Sequence, residues 1–330
     1  MKIRKSIILI IISNVLLSCA SLKKTKTNSN DISISIKETE RIINILASDE
    51  FGGREVFSED IEKASRFIET EFEKTGLDYF PGFNSFRQEF IVKNKKANNV
   101  VGYIKGKSKP DEYVLFSAHY DHLGKLNNVE KNTNMDTIFN GANDNASGTT
   151  AVIQLAEYFK KNISNERSII FVAFTGEESG GYGARELSRK INADKIVAMF
   201  NLEMIGTKSK WGKNSVFITG YEMTDFGTIL NKSIQGNKFR FYKDPYPDES
   251  LFYRSDNATF AELGVPAHTL CTAKMDNEPF YHKVNDEVKT LDLNNLNVII
   301  KNIAFCSQSI ISGKNTPSRI KIEPGRITID

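Results

Sequence analysis

The sequence predicts an α/β fold: a single domain with a central, mixed but mostly parallel sheet and helices on both faces. Three observations predict it. Short apolar runs at 113–118, 168–174 and 196–202 lack polar alternation, as strands covered on both faces do. Segments of helical period separate such runs, and strand alternating with helix builds a parallel sheet. Apolar runs continue from 36 to 311 without a linker, so the 330 residues hold one domain rather than two.

In chain order, an amphipathic helix is predicted at about 36–47. A second follows at about 59–75, where Ala64, Phe67, Ile68 and Phe72 recur at helical spacing. Strands at about 86–93 and 97–105 read as a hairpin leading to the sheet. The run at 113–118 is the first core strand. A helix at about 147–160 places Val152, Leu155, Ala156 and Phe159 on one stripe. After the runs at 168–174 and 196–202 come a strand near 214–219, a helix near 223–234, a strand near 266–271 and a closing helix near 291–311. The sequence assigns residues 36–312 to the domain and 313–330 to a tail.

The amino-terminal stretch differs in kind. Lys2, Arg4 and Lys5 precede an apolar run from Ile7 to Leu17, then Ser18 and Cys19. A basic start, a short apolar run and a small residue before a cut describe a secretory signal peptide at 1–18. L-L-S-C at 16–19 resembles a bacterial lipobox, with Cys19 the lipidated mature terminus and 19–35 a polar tether. The expected location is the cell envelope: a lipoprotein exported across the inner membrane, periplasmic or surface-facing and membrane-bound through its lipid. A plain signal peptide with an accidental cysteine is the simpler reading of the same residues. Removing 1–18 leaves 41 basic and 41 acidic residues, without the basic surplus of a nucleic-acid binder. Cys271 and Cys306 then remain, as one bridge or two buried thiols.

Chemistry-bearing residues collect where the core strands end. The first strand runs into His119-Tyr120-Asp121-His122, the second into Thr175-Gly176-Glu177-Glu178, and the third ends in Glu203. In an open α/β sheet that edge is where ligands bind. Asp144 stands just before a helix, and His282 in a late loop. Singly, each has a bland reading: a helix cap, a solvated glutamate pair, a structural histidine. Their convergence on one edge favours metal ligation, and two imidazoles with three carboxylates suit zinc, with manganese or cobalt as competitors.

Five segments carry a resemblance: S-A-H-Y-D-H-L-G at 117–124, G-A-N-D-N-A-S-G at 141–148, F-T-G-E-E-S-G at 174–180, N-L-E-M-I-G at 201–206 and Y-H-K-V-N-D at 281–286. In this order and spacing they resemble the M28 metallopeptidases, the zinc-dependent exopeptidases with a phosphorylase/hydrolase-like fold. The resemblance implies two Zn2+ ions and peptide substrates. It implies that Asp144 bridges both metals, that His119 and Glu203 complete one site, and that Glu178 and His282 complete the other. It makes Glu177 the general base for a metal-bridged hydroxide, and Tyr281 a group that polarises the scissile carbonyl. It makes Asp121 the acceptor for the His119 N–H, which would fix that ring's tautomer. It also implies a cis peptide bond after Asp144. Glu203 stands where Asp is common, and Asn257 where a histidine is usual. The expected activity is hydrolysis of N-terminal residues from peptides. Its rivals are a glutaminyl cyclase-like single-zinc enzyme, an M28 carboxypeptidase and a non-enzymatic binding lipoprotein. No G-x-S-x-G or H-E-x-x-H segment points elsewhere.

Overall fold

The computed structural model describes residues 32–126, 135–162, 164–275 and 278–321. The signal peptide, Cys19 and most of the tether lie outside the described residues.

Helix α1 (Ile36–Leu46) begins where Ser35 accepts the Glu38 N–H, and α2 (Glu59–Thr75) where Ser58 accepts that of Ile61. Gly76 ends α2 in the left-handed conformation that a side chain resists (φ 76°). Strands β1 (Asp78–Tyr79), β2 (Arg87–Val92) and β3 (Lys95–Ile104) form an antiparallel flank. There follow β4 (Lys109–His119), α3 (Ser147–Asn162), β5 (Arg167–Phe174), α4 (Tyr182–Ser188) and β6 (Ile196–Glu203). The chain closes with β7 (Ser215–Ile218), α5 (Phe226–Ser233), β8 (Arg240–Lys243), α6 (Asn257–Ala261), β9 (Ala267–Cys271) and α7 (Leu293–Ile311).

The sheet runs β1-β3-β5-β4-β6-β9-β7-β8, with β2 paired to β3. The expected parallel arrangement holds for its centre: β5, β4, β6 and β9 are mutually parallel, while β3 and β7 join antiparallel on either side. Every residue of β5 is buried, as its unbroken apolar run requires. One face packs Phe72, Phe159, Phe116 and Phe200 beneath α1, α2, α3, α5 and α7; the other packs Leu115, Ile170, Leu187 and Phe260 beneath α4 and α6. Helices therefore cover both faces.

The sequence carries no signal for β1, α4, β8 or α6. Each is too short to show a period, and α4 starts directly after Gly180 and Gly181. Cys271 and Cys306 are both free and buried. No helix among the described residues is long and apolar enough to cross a membrane. The consequence for function is directional: with β4, β5 and β6 parallel, their carboxyl ends open on one edge.

Candidate metal centre

His119 closes β4 and Glu203 closes β6, both buried. Glu177 and Glu178 follow β5 after Gly176, whose φ of 70° turns the chain over the sheet edge. Asp144 sits in a single wide turn, Ala142–Ala146, that feeds α3, and the Asp144–Asn145 peptide bond is cis as expected. That turn is laced to the end of β6. Asn145 donates to Leu202 O (2.9 Å) and accepts the N–H of Met204 (3.2 Å), and Asn143 accepts that of Gly206 (2.8 Å).

The five expected ligands meet around Asp144. His119 Nε2 lies 3.3 Å from Asp144 Oδ1 and 3.1 Å from Glu203 Oε1. His282 Nε2 lies 3.3 Å from Asp144 Oδ2 and 3.1 Å from Glu178 Oε2. Each oxygen of one carboxylate thus faces its own donor set. Donors ~2.0–2.1 Å from a tetrahedral zinc stand ~3.3 Å apart, so these separations fit that ion. His282 Nε2 is buried without a hydrogen-bond partner, the condition of a ligand atom reserved for a cation. The donor set, two imidazoles and three carboxylates, suits zinc.

His122 also belongs to this cluster. Its Nδ1 is 2.8 Å from Glu178 Oε1 and 3.9 Å from Asp144 Oδ2, and with those residues it forms a second group of metal-ligating type beside His119, Asp144 and Glu203.

Surrounding groups hold the ligands in place. Ser255 Oγ donates to Glu203 Oε2 (2.8 Å) and accepts from Asn201 (2.7 Å), which Ser117 braces in turn (2.8 Å). Asp286 accepts the main-chain N–H groups of Asn143 (2.9 Å) and Asp144 (3.0 Å). Asp121 corrects an expectation. His119 Nδ1 is 3.1 Å from the Asp121 carbonyl oxygen and 3.7 Å from its carboxylate, so the backbone is the nearer acceptor. The carboxylate turns instead to the N–H groups of Glu177 (3.2 Å) and Glu178 (3.4 Å). Asn257, at the position of the unusual residue, is buried and structural, bonded to Thr269 Oγ1 (2.7 Å) and Phe252 O (3.1 Å).

Seven carboxylates crowd this edge, and burial opposes their charge. Burial raises the Glu177 pKa well above the usual range, with Asp256, Glu203 and Glu178 adding to it and His119 opposing. Burial likewise lifts Asp121 and Asp286 to about 6. Asp144 is the exception: burial works against its charge, but the His119 and His282 rings 3.3 Å from its two oxygens outweigh it and hold the carboxyl far below its ordinary value. A divalent cation would neutralise such a cluster directly. The Glu177 carboxylate makes no hydrogen bond or ion pair among the described residues, which leaves it free for a reacting group. Tyr281 stacks on the His282 ring, centroids 3.8 Å apart, at the half-buried mouth.

Residues 99–306 match the model of peptidase family M28. Aminopeptidase YwaD of Bacillus subtilis is 25% identical over 237 residues, 69% of this chain and 48% of that protein. The chain spans less than half the length of the curated relatives it matches. Among solved structures, a zinc aminopeptidase of Bacillus subtilis, BSAP, superposes with a TM-score of 0.66 at 15% identity, covering 88% of this chain and 100% of that one. A glutaminyl cyclase of Porphyromonas gingivalis gives 0.64 at 16% identity, covering 84% and 99%. These two likenesses establish the fold.

Proposed function

The chain belongs to peptidase family M28, and on that premise we propose that it is a zinc aminopeptidase releasing N-terminal residues from peptides. One observation carries the proposal: the two oxygens of Asp144 point into separate donor sets, His119 with Glu203 and His282 with Glu178. On this reading those sets hold two zinc ions. A divided bridge of this kind supports a two-metal hydrolase over the single-zinc cyclase.

Bound there, zinc supplies Lewis acidity and makes a water acidic enough to lose its proton near neutral pH. Glu177 is the residue to take that proton at its carboxylate and return it to the leaving amine. Burial and neighbouring carboxylates raise the Glu177 pKa in the metal-free site, and the positive charge of bound zinc would oppose that shift and keep the carboxylate able to accept the proton. Asp121 holds the main chain at Glu177 and Glu178, aiming one side chain at the reaction and the other at the metal. Ser255 fixes Glu203, and Asp286 fixes the turn of Asp144. Tyr281 stacks on His282, and on this reading its hydroxyl polarises the substrate carbonyl. The free carboxylates of the site also suit the α-ammonium group of a peptide, which would restrict cleavage to its end.

Aminoacyl-nitroanilides assayed beside an N-terminal glutaminyl peptide and a C-terminally blocked and an N-terminally blocked dipeptide test this. Release of the first residue from unblocked amino termini is expected; ring closure of the glutaminyl peptide alone, or cleavage only at free carboxyl termini, would replace the proposal. We place the enzyme in the cell envelope, tethered through lipid on Cys19. Loss of radiolabelled palmitate in Cys19→Ser is the outcome expected there.

A further inference from the structure

Beneath the centre lies a charged side chain that falls outside residues 99–306 and outside all five motifs. Arg54 is fully buried. Its guanidinium contacts no carboxylate among the described residues. Nε donates to Tyr120 O (2.8 Å), Nη1 to Leu46 O and Asn140 O (2.7 Å), and Nη2 to Gly141 O (3.0 Å). Those carbonyls belong to the end of α1, to the residue between His119 and Asp121, and to the two residues that open the turn of Asp144. One planar fork therefore joins the strand end bearing His119 to the turn bearing Asp144.

The main chain repeats the connection. His122 N donates to Arg54 O (3.1 Å), Gly124 N to Gly53 O (2.9 Å) and Phe139 N to Gly124 O (2.9 Å). Gly52, Gly53 and Arg54 are consecutive left-handed residues, with φ of 53°, 72° and 50°. A Cβ on Gly53 would sit 2.2 Å from Gly124 O and 2.7 Å from Phe139 O, so only glycine permits the approach. A residue as large as arginine persists in that backbone region only where its surroundings fix it.

We propose that Arg54 is a positioning residue for the metal centre, setting His119 and Asp144 at ligand spacing across the long connection between them. The inference rests on reading that centre as a zinc site. Lysine cannot replace the fork, because an ammonium is a point donor while the guanidinium presents fixed N–H groups to several acceptors at once. It does preserve the charge, so Arg54→Lys isolates geometry from electrostatics.

The test is cobalt(II) bound to purified wild type, Arg54→Lys and Arg54→Ala, read by visible absorption and by competition with a chromogenic chelator, with kcat and KM measured in parallel. In Arg54→Lys we expect cobalt affinity to fall about ten- to a hundred-fold and the absorption bands to change. The kcat should fall while KM stays within about twofold, since substrate contacts are untouched. Added guanidinium ion should restore the spectrum of Arg54→Ala, and methylammonium should not. Wild-type affinity and spectrum in Arg54→Lys would overturn the proposal. So would failure of both variants to fold, which would make Arg54 a folding residue alone. A wild type that binds no cobalt and cleaves no peptide would instead remove the zinc reading itself.

Discussion

Ser255→Ala deletes one oxygen from the hydrogen-bonded chain under the metal centre. The hydroxyl donates to Glu203 Oε2 at 2.8 Å and accepts from Asn201 Nδ2 at 2.7 Å, and all three side chains are buried. The bond to the charged group contributes ~1.5–3 kcal/mol and the neutral one ~0.5–1.5 kcal/mol, and no water replaces either in a buried site. The expected loss of stability is about 2–4 kcal/mol, or roughly 3–7 °C in Tm for a domain of this size. Glu203 loses its outer anchor at the same time, which lowers zinc affinity about ten- to a hundred-fold. Thermal melts of the metal-free protein give the first quantity, and chelator competition gives the second. Ser255→Thr, which keeps the hydroxyl, should recover much of both. A Tm and a zinc affinity equal to wild type would refute the claim that Ser255 orients Glu203.

Glu177→Gln should retain metal and lose about 10²–10⁴ in kcat, the usual contribution of a positioned base; a turnover near wild type together with unchanged metal content would remove Glu177 from the chemistry. Gly53→Ala should lower Tm and metal affinity together, since its Cβ would lie 2.2 Å from Gly124 O in a backbone segment at φ 72°; an unchanged melt would show that the braid relaxes freely. His268 supplies a pH dependence. It is buried, with Nε2 accepting from Thr224 Oγ1 (2.7 Å) and Nδ1 donating to Thr219 O (2.9 Å), and burial lowers its pKa to about 4. The unfolded chain therefore binds a proton first: no cost arises above pH ~6.5, and about 3 kcal/mol is lost as pH falls from there towards 4. Denaturant titrations of wild type and His268→Gln across that window should show the slope flattening in the variant, and parallel slopes would exclude His268 as the source.

The sheet was legible because its central strands are covered on both faces and so appear as unbroken apolar runs, such as Ile169–Phe174 within β5. The ligands were legible for a related reason: His119, Glu178 and Glu203 each end or follow such a run, where a charge has no solvent face to occupy. The supporting groups were not legible. Ser255 and Asp286 act on residues 52 and 143 positions away, and Arg54 gathers carbonyls from three segments, so no local spacing announces them. His122 stood inside a quoted motif, yet only the approach of Glu178 to 2.8 Å assigns it to the cluster. Asp121 shows the finer limit: sequence placed the right residue beside His119, but which of its oxygens faces the ring depends on how the chain turns after β4.

Zinc titration into chelated protein, read by hydrolysis of an aminoacyl-nitroanilide, asks whether Asp144 joins two working metal sites. No hydrolysis is expected in the metal-free protein, and the rise should be complete at two equivalents, one for each side of Asp144. Hydrolysis that survives full chelation, or that never appears at any zinc loading, would contradict it.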